Sequence, residues 1–492
     1  MNSFKPMLLT SLKSYDRAQF AKDVTAGIIV AIIALPLSIA LALASGVGPE
    51  AGIFTAIVAG FVISALGGSC VQIAGPTAAF ATIVAGIVAR DGLEGLMTAT
   101  ILAGVFLIIM GFCHFGSLIK FIPYTITTGF TSGIAVTIVI GQLKDFCGVT
   151  YPDGVKPIET MEKLKAFAEN FSTISPDALI VGGVSLAILI VSPLIFKRIP
   201  GSLIAVIVGI LMVQFLPLHV STIGNLYTIS NALPTLHLPV FDLKLIQSAI
   251  PNAFTIAVLA AIESLLSCVV ADGMINSKHR SDTELIAQGA GNIASALFGG
   301  IPATGAIART AANIKNGGRT PVAGIVHSIT LVIVLVVLMP FAGMIPMPTI
   351  AAILFLVAYN MCQWRTFVHL VRTAPKSDII VLFTTFVLTV VFDLVVAIEI
   401  GMVLACLLFI KRMSEETHAD SWVYVDDDSP AVDEHLQKLP LEIRVYEITG
   451  PLFFGAADAI EHIVVKDFTK CLVLRMRSVP AIDSTAMNLS LI

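Results

Sequence analysis

Two ionisable residues lie deep within apolar stretches of this 492-residue chain. One of them, Glu263, is in the middle of IAVLAAIESLLSCVVADGM, a run long enough for a helix that crosses a membrane. A charged acid at the centre of a bilayer costs roughly 2.5–3.5 kcal/mol, so such residues mark ion pathways or proton relays. We therefore predict that Glu263 carries a proton. The alternative for this residue is a structural hydrogen bond that orders a helix contact.

The second ionisable residue is Arg309, one turn into a short predicted span at 305–315. It either adds positive potential behind an anion site or forms an ion pair with Glu263, and the sequence leaves both alternatives open. Hydroxyl side chains accompany these charges, because Ser267 shares the helix face of Glu263 and Ser264 adjoins it. The candidate residues that support ion binding are Ser264, Ser267 and Thr304.

Two short segments rich in glycine and proline interrupt the apolar pattern, QIAGPTAAF at 72–80 and IPATGAIAR at 301–309. Irregular backbone at membrane depth survives only where it is buried or lines a cavity. Each segment precedes a short predicted helix, whose free N–H groups and positive dipole end bind anions without a formal charge. Tight helix packing is the alternative, since small residues also line close contacts. The predicted substrate-binding residues are Gly75, Thr77, Ala78, Gly305, Ala306, Ile307 and Arg309.

The two segments lie at corresponding places in two halves of the chain. Ala74 and Ala303 are 229 residues apart, and Leu35 and Glu263 are 228 apart. Paired, interrupted segments of this kind are typical of transporters built from inverted repeats, with the site at mid-membrane. We therefore expect one half at about 22–216 and the other at about 252–412.

The composition places most of the chain in lipid. Hydrophobic residues make up 56% and charged residues 13%, against roughly 25% charged in soluble domains. The mean hydropathy is +0.93. We predict an all-α polytopic membrane protein with fourteen spans. Their predicted bounds are 22–44, 50–67, 75–89, 95–114, 118–142, 177–196, 201–216, 252–275, 284–299, 305–315, 320–340, 347–362, 377–393 and 395–412.

Lys and Arg are distributed unevenly between alternate loops. With the N-terminus inside, sixteen of them fall on the inside and six on the outside, four of the six in the long loop 143–176. Cytoplasmic loops carry the excess of basic residues in membrane proteins. We expect both termini to face the cytoplasm, with 1–21 as a cytoplasmic segment, in a protein of the bacterial inner membrane.

After residue 412 the composition becomes that of a soluble segment. Residues 413–437 predict an acidic linker, and 438–492 predict the start of an α/β domain with the strands LEIRVYEITG and KCLVLRMR. About 55 residues are too few for a complete core, so we expect the natural protein to continue.

The motifs that carry enzymatic chemistry are missing from the sequence. Its seven cysteines are scattered singly, and it contains no phosphate-binding loop, nucleophile motif or metal-ligand cluster. We expect no enzyme, no cofactor, no metal and no nucleic-acid partner. The expected partners are a small anion and the lipid bilayer.

Several motifs together resemble the SulP family of anion transporters. They are ALPLSIALALASGVGPEAGIFTAIV, GGSCVQIAGPTAAFATIV and ATGAIARTAAN, followed by LPLEIRVYEITGPLFFGAAD and AIDST, so the resemblance covers about 20–492. It implies a seven-plus-seven inverted repeat in which a core domain (spans 1–4 and 8–11) moves against a gate domain (spans 5–7 and 12–14). It also implies a homodimer and a cytoplasmic STAS domain, here truncated at 438–492, with a surface for a cytoplasmic partner.

Within that family, AAIESLLSCVVADGMINSKHRSDTELIAQGAGNI most resembles bacterial C4-dicarboxylate carriers. The resemblance implies a site between spans 3 and 10, with help from spans 1 and 8. Sodium-dependent bicarbonate members carry an Asp where Glu263 stands, so Glu favours H+ over Na+ as the coupling ion. We expect proton-coupled uptake of succinate, fumarate or aspartate by alternating access. A sulfate or bicarbonate carrier, coupled to protons or sodium, and a passive anion channel remain open.

Overall fold

The structure is a computed structural model, and it describes residues 4–117, 123–152, 157–195, 200–239, 242–392, 394–422, 442–456 and 469–489. Its helices are α1 (Met7–Ser11), α2 (Arg17–Ala44), α3 (Pro49–Leu66), α4 (Ala81–Phe112), α5 (Tyr124–Cys147), α6 (Thr160–Glu169), α7 (Pro176–Ile195), α8 (Gly201–Phe215), α9 (Ile223–Leu226), α10 (Leu243–Ile275), α11 (Ser281–Leu297), α12 (Ile307–Lys315), α13 (Val322–Ala342), α14 (Met347–Cys362), α15 (Trp364–Thr373), α16 (Lys376–Val391), α17 (Leu394–Glu415) and α18 (Ser484–Leu489). Its strands are β1 (Ala74–Gly75), β2 (Thr304–Gly305), β3 (His418–Trp422), β4 (Ile443–Thr449) and β5 (Cys471–Ser478).

Long apolar helices dominate the part of the chain that the structure describes. Within it, eight helical stretches are long and apolar enough to cross a membrane. They are Arg17–Ala44, Pro49–Leu66, Ala78–Phe112, Tyr124–Cys147, Pro176–Ile195, Leu243–Ile275, Val322–Ala342 and Met347–Thr373. Each predicted span overlaps a helix, although the predicted residues 118–122, 196 and 393 lie outside the described residues. A mostly helical membrane protein is confirmed, and the count of fourteen crossings stays a prediction.

Two local features bear on the predicted spans. Helix α4 is broken at Gly92, where φ is 70° and ψ is −170°, and this break lies between predicted spans 3 and 4. Glycine adopts such a backbone without the steric cost that a Cβ atom brings. The predicted loop 143–176 contains α6, whose start is closed by a capping box between Glu159 and Glu162. Apolar length, the criterion for spans, does not detect a short polar helix.

The long helices pack in two groups. In the first, α2 and α3 pack against α13, α4 packs against α10 and α11, and α12 packs against α10 and α2. In the second, α5 and α7 pack against α14, and α8 packs against α7. This is the division into core and gate that the resemblance implies for these helices, because each group combines helices from both halves of the chain.

The first group is held by a close approach between α4 and α11. A Cβ atom on Gly104 would lie 2.6 Å from the backbone oxygen of Gly289, and Gly289 meets the Gly104 carbonyl in the same way. Small residues let helix backbones approach in membranes, where association depends on van der Waals packing. The two halves of the chain are therefore packed backbone to backbone at this crossing.

The segment before α2 is fastened to the turn between α12 and α13. The buried carboxylate of Asp23 accepts hydrogen bonds from the Tyr15 hydroxyl at 2.9 Å and the Thr320 hydroxyl at 2.6 Å. It also accepts from the backbone N–H of Arg319 at 2.9 Å and the Gln19 amide at 2.9 Å. Asp23 thus joins the beginning of the chain to residues about 300 positions later.

This contact predicts a pH dependence at the alkaline end. Burial, together with the hydrogen bond to Asp23, raises the pKa of Tyr15 from 10.0 to about 12. The folded protein holds the proton more tightly than the unfolded chain, so the contact contributes fully below about pH 10 and is lost as the pH rises through about 12. We expect the difference between the tyrosinate absorbance titrations of the wild type and Tyr15→Phe to centre near the raised pKa. A difference centred near pH 10 would show that the contact does not form.

The chain divides into two compact units, Met1–Ala374 with Leu382–Glu399, and Pro375–Val381 with Ile400–Ile492. In the second unit β4 lies between β3 and β5, antiparallel to β3 and parallel to β5. The two predicted strands are present as β4 and β5, and Ile448, Leu452 and Ala486 form a small core. Helix α17 and β3 occupy the start of the predicted linker 413–437, and 423–437 lie outside the described residues.

Candidate functional site

The site is organised by two strands that meet in the interior of the first unit. β1 and β2 pair in antiparallel fashion, with Ala74 opposite Gly305 and Gly75 opposite Thr304. The backbone N–H of Ala306 donates to the carbonyl of Ile73 at 2.9 Å, which extends the pairing. The two interrupted segments that the sequence placed at matching offsets are therefore in direct contact.

A helix begins after each strand. A 3-10 turn at Ala78–Phe80 leads from β1 into α4, and α12 begins at Ile307 directly after β2. The first N–H groups of a helix have no partner within the helix and carry its positive dipole end. Two such ends lie beside one strand pair, which is the arrangement expected of a site that binds an anion through backbone groups.

Glu263 reaches this point from α10. Its carboxylate accepts a hydrogen bond from the Thr77 hydroxyl at 3.0 Å. Both residues are partly exposed, and among the described residues no basic side chain pairs with the carboxylate. The structure therefore places the carboxylate of Glu263, the predicted proton carrier, next to the 3-10 turn that leads into α4.

The hydroxyls predicted to support ion binding all form hydrogen bonds to protein groups in this structure. Ser264 accepts from the backbone N–H of Gly305 at 3.1 Å, and its oxygen lies 2.6 Å from the Thr304 hydroxyl, which in turn donates to the carbonyl of Ala260. Ser267 is buried and donates to the Thr310 hydroxyl at 3.5 Å. These groups fasten β2 and α12 to α10, and protein partners already engage them.

Removal of the Ser264 hydroxyl should therefore destabilise β2. In Ser264→Ala the Gly305 N–H loses its acceptor, and a buried group left unpaired costs about 1–3 kcal/mol. We expect a lower melting temperature for the detergent-purified protein. The matched control is Ser248→Ala on the same helix, where the exposed hydroxyl bonds only to the carbonyl of Leu245. Equal melting temperatures for the two variants would contradict the role of Ser264.

Helices α11 and α3 hold the backbone that leads into each strand, and sequence reasoning missed these residues. Asn292 binds the N–H and the carbonyl of Ala303 at 2.8 and 2.9 Å. Thr55 accepts from the N–H of Ile301 at 2.7 Å. The buried carboxylate of Glu284 accepts from the N–H groups of Gly68 and Ser69. The spacing of Glu284, Gln288 and Asn292 was a signal for this polar face, since side chains four apart share one side of a helix.

Arg309 is buried behind β1 and does not contact Glu263. Its guanidinium donates to the Ser38 hydroxyl at 3.3 Å and to the carbonyl of Pro76 at 3.2 Å. Arg309 is 1% exposed, and no carboxylate among the described residues pairs with it. The alternative of an ion pair with Glu263 is therefore wrong in this structure. The prediction that Arg309 adds positive potential behind an anion site is compatible with this position.

A buried histidine lies near this charge and was not singled out in the sequence. His327 on α13 is fully buried, and no described protein group bonds to either ring nitrogen. The Nε and Nη1 atoms of Arg309 also lack protein partners among the described residues. Two buried side chains, Arg309 and His327, thus keep nitrogen atoms that no described protein group engages.

Accessibility differs among the predicted binding residues. Gly75, Ala78 and Gly305 are buried, whereas Thr77 and Ala306 are partly exposed. Ile307 is 38% exposed although it begins a helix in the interior of an apolar unit. The accessible part of the predicted binding site is therefore at Thr77, Ala306 and Ile307, while its two glycines are buried.

A cavity begins one turn beyond Ala78. It has a volume of about 570 Å³ and extends along α4 from Thr82 to Arg90. Its other walls include Thr137 of α5 and Asn252 of α10. The cavity thus lies between helices of the two packing groups, where an access route to the site is expected. In the described parts of the chain, no three His, Cys, Asp or Glu side chains are gathered as metal ligands would be.

Comparison with known proteins identifies relatives across most of the chain. The model of the sulfate permease family matches residues 20–385. The chain is 40% identical over 486 residues to the putative sulfate transporter YvdB of Bacillus subtilis (strain 168), which covers 96% of this chain and 88% of that protein. It is 33% identical over 482 residues to the bicarbonate transporter BicA of Picosynechococcus, which covers 94% of this chain and 84% of that one.

Solved structures agree with this relationship. The transmembrane domain of a cyanobacterial bicarbonate transporter BicA superposes with a TM-score of 0.69 at 29% identity, over 80% of this chain and 98% of that chain. The murine anion transporter Slc26a9 in an inward-facing state superposes with a TM-score of 0.87 over 98% of this chain and 84% of that chain. At 18% identity this second match shows a shared fold. The chain belongs to the sulfate permease family and is an anion transporter with the fold of its transmembrane domain.

Proposed function

We propose that the chain is a secondary active carrier of a small inorganic oxyanion, with bicarbonate as the first candidate and sulfate as the second. The observation that carries the proposal is the position of Glu263, whose carboxylate lies at Thr77 beside two helix N-terminal ends. Backbone N–H groups at such ends bind oxyanions. The relatives described above are named as sulfate and bicarbonate transporters, which supports these two substrates over a C4-dicarboxylate.

Charge favours a monoanion over a dianion. The site combines one fixed positive charge at Arg309 with one acid at Glu263, and the remaining attraction comes from helix dipoles. With the Glu263 carboxyl protonated, one positive charge remains at Arg309, so a bound monoanion leaves the occupied site neutral and a bound dianion leaves it with one uncompensated negative charge. Bicarbonate therefore suits the site better than sulfate. Sulfate remains the second candidate because the YvdB relative is named for it.

The coupling ion in this proposal is a proton on Glu263. Protonation removes the repulsion between the carboxylate and the anion, so proton and anion binding assist one another. The alternative is Na+, which oxygen atoms would have to coordinate. Of the nearby hydroxyls, those of Ser264, Ser267 and Thr304 already bond to protein groups. The engagement of these hydroxyls supports H+ as the coupling ion. The same preference was expected because Glu263 stands where sodium-dependent members of the family have Asp.

Transport would proceed by alternating access. The group that contains α4, α10 and α12 would move with the bound anion against the group that contains α5 and α14. We further propose fourteen crossings with both termini in the cytoplasm, a bacterial inner membrane location, a homodimer, and a STAS domain at 438–492 that binds a cytoplasmic partner. Succinate, fumarate and aspartate remain to be tested as substrates.

The experiment is uptake into proteoliposomes at mildly alkaline outside pH, where bicarbonate predominates. Labelled bicarbonate and labelled sulfate are measured with and without an inward proton gradient, with unlabelled succinate as competitor and protein-free liposomes as the control for leakage of carbon dioxide. We expect protein-dependent bicarbonate uptake that the gradient accelerates. Uptake that succinate abolishes would favour the dicarboxylate expectation, and equal rates with and without the gradient would favour a passive channel.

A further inference from the structure

Helix α15 presents a basic stripe on its surface. Arg365, His369 and Arg372 are spaced at i, i+4 and i+7, so they lie on one side of the helix, and all three are exposed. The helix sequence, WRTFVHLVRT, contains no acidic residue. Among the described residues no carboxylate forms an ion pair with either arginine. The stripe therefore has two positive charges available for an external anion.

The other faces of α15 show how the helix is oriented. Phe367 packs against Phe383 and Phe386 of α16, with ring centroids 5.6 and 5.5 Å apart. Next to the basic stripe, Trp364 is 47% exposed and Val368 is 36% exposed. An aromatic and an apolar side chain beside a basic stripe are typical of helices that lie in the membrane interface. Tryptophan in particular favours the level of the lipid headgroups.

The position of α15 in the chain connects it to the second packing group. Gln363, with φ of 44°, forms the sharp turn between α14 and α15. The carbonyl of Cys362, the last residue of α14, accepts a hydrogen bond from the Ser132 hydroxyl of α5 at 2.8 Å. The basic stripe is therefore attached to the packed pair α5 and α14 through one residue. The distribution of Lys and Arg predicts that this turn lies on the cytoplasmic side, where anionic lipids are abundant.

We propose that α15 is an interfacial helix that binds anionic phospholipid headgroups through Arg365 and Arg372. The guanidinium groups would bind headgroup phosphates, which they match in geometry and charge. Trp364 and Val368 would enter the boundary of the acyl chains. The bound lipid anchors α14 and α5 at the membrane surface. The anchoring role rests on the proposed transport cycle, in which the group that contains α5 and α14 stays in place. The binding of lipid by α15 does not depend on that cycle.

The chain offers its own reporter for a test. It contains two tryptophans, and Trp422→Phe leaves Trp364 as the remaining one. This protein is placed in nanodiscs of neutral lipid with a minority of anionic lipid. Only the anionic lipid carries bromine, which quenches tryptophan fluorescence on contact. We expect stronger quenching than the mole fraction of brominated lipid gives by chance. With both Arg365→Gln and Arg372→Gln, the enrichment should fall about tenfold or more, given the usual attraction of each basic residue to an anionic surface.

The matched control removes the same charge elsewhere. Lys165→Gln with Lys244→Gln changes two exposed lysines on the predicted outer side and should leave the quenching unchanged. The proposal is overturned if anionic and neutral brominated lipids quench equally at equal mole fraction, or if the double arginine variant quenches like the wild type. The readout requires no transport, so it remains informative whatever anion the protein carries.

Discussion

Replacing Glu263 by Gln will abolish the response of anion uptake to a proton gradient. Glutamine keeps the shape and the hydrogen bond from Thr77 but does not titrate, so the anion binds and moves without a proton. In the wild type, one proton for each anion changes the accumulation ratio about tenfold for each pH unit of gradient. In Glu263→Gln the accumulation ratio should not depend on the gradient. The measurement is the accumulation ratio of labelled sulfate in proteoliposomes at several inside pH values. For bicarbonate the initial rate of uptake is measured instead, because leakage of carbon dioxide through the lipid by itself gives a bicarbonate ratio that follows the pH gradient.

The control for this experiment is Glu94→Gln, which changes an exposed acid on α4. It should retain the full gradient dependence. If Glu263→Gln accumulates the anion as the wild type does, the proton travels on another group and Glu263 is a structural residue. If anion uptake by the wild type responds to a sodium gradient and not to a proton gradient, the proposal of H+ as the coupling ion is wrong, although the proposed site can still be correct.

Gly75→Ala is the substitution that should damage anion binding most through a single methyl group. A Cβ atom at Gly75 would overlap the Nη1 atom of Arg309 and lie 3.3 Å from its Cζ atom, with Cα of Ala56 3.7 Å away on another side. Overpacking of this kind typically costs 1–3 kcal/mol, and here the guanidinium must move from its place behind β1. We expect the anion concentration at half-maximal uptake to rise about tenfold or more.

A matched glycine and a second substitution make this prediction specific. Gly141→Ala lies in the same half of the chain with open space around its Cβ position, and it should leave the affinity unchanged. Gly75→Ala combined with Arg309→Lys keeps the positive charge on a slimmer group and should recover part of the lost affinity. A Gly75→Ala variant with wild-type affinity would show that the position of the Arg309 charge does not matter for binding.

The sequence predicted the centre of the site because corresponding positions in a repeated structure are separated by a nearly constant number of residues. The matching offsets of 229 and 228 residues indicated that two interrupted segments correspond, and β1 and β2 do meet. The apolar setting of Glu263 was equally visible, and its contact with Thr77 follows from the same convergence.

Other features depend on packing that periodicity does not report. The direction of the Arg309 side chain is set by Ser38 and the carbonyl of Pro76, which belong to elements far away in sequence. His327 is buried only because α13 packs against α2 and α3. The hydroxyls of Ser264 and Thr304 are the types that ligate ions, but their use in holding β2 depends on a register known only from the structure.

The separate placement of Arg309 and Glu263 on one packed group of helices has an electrical consequence. In the proposed transport cycle both charges travel together, so the charge moved in each step depends on what is bound. With Glu263 ionised the empty site is neutral, and with a proton and bicarbonate bound it is again neutral, whereas a proton and sulfate leave one negative charge. Bicarbonate cotransport should therefore generate no current across the membrane, and sulfate cotransport with one proton should be driven or opposed by the membrane voltage. Current recorded from a supported membrane would distinguish the two substrates without a radioactive label.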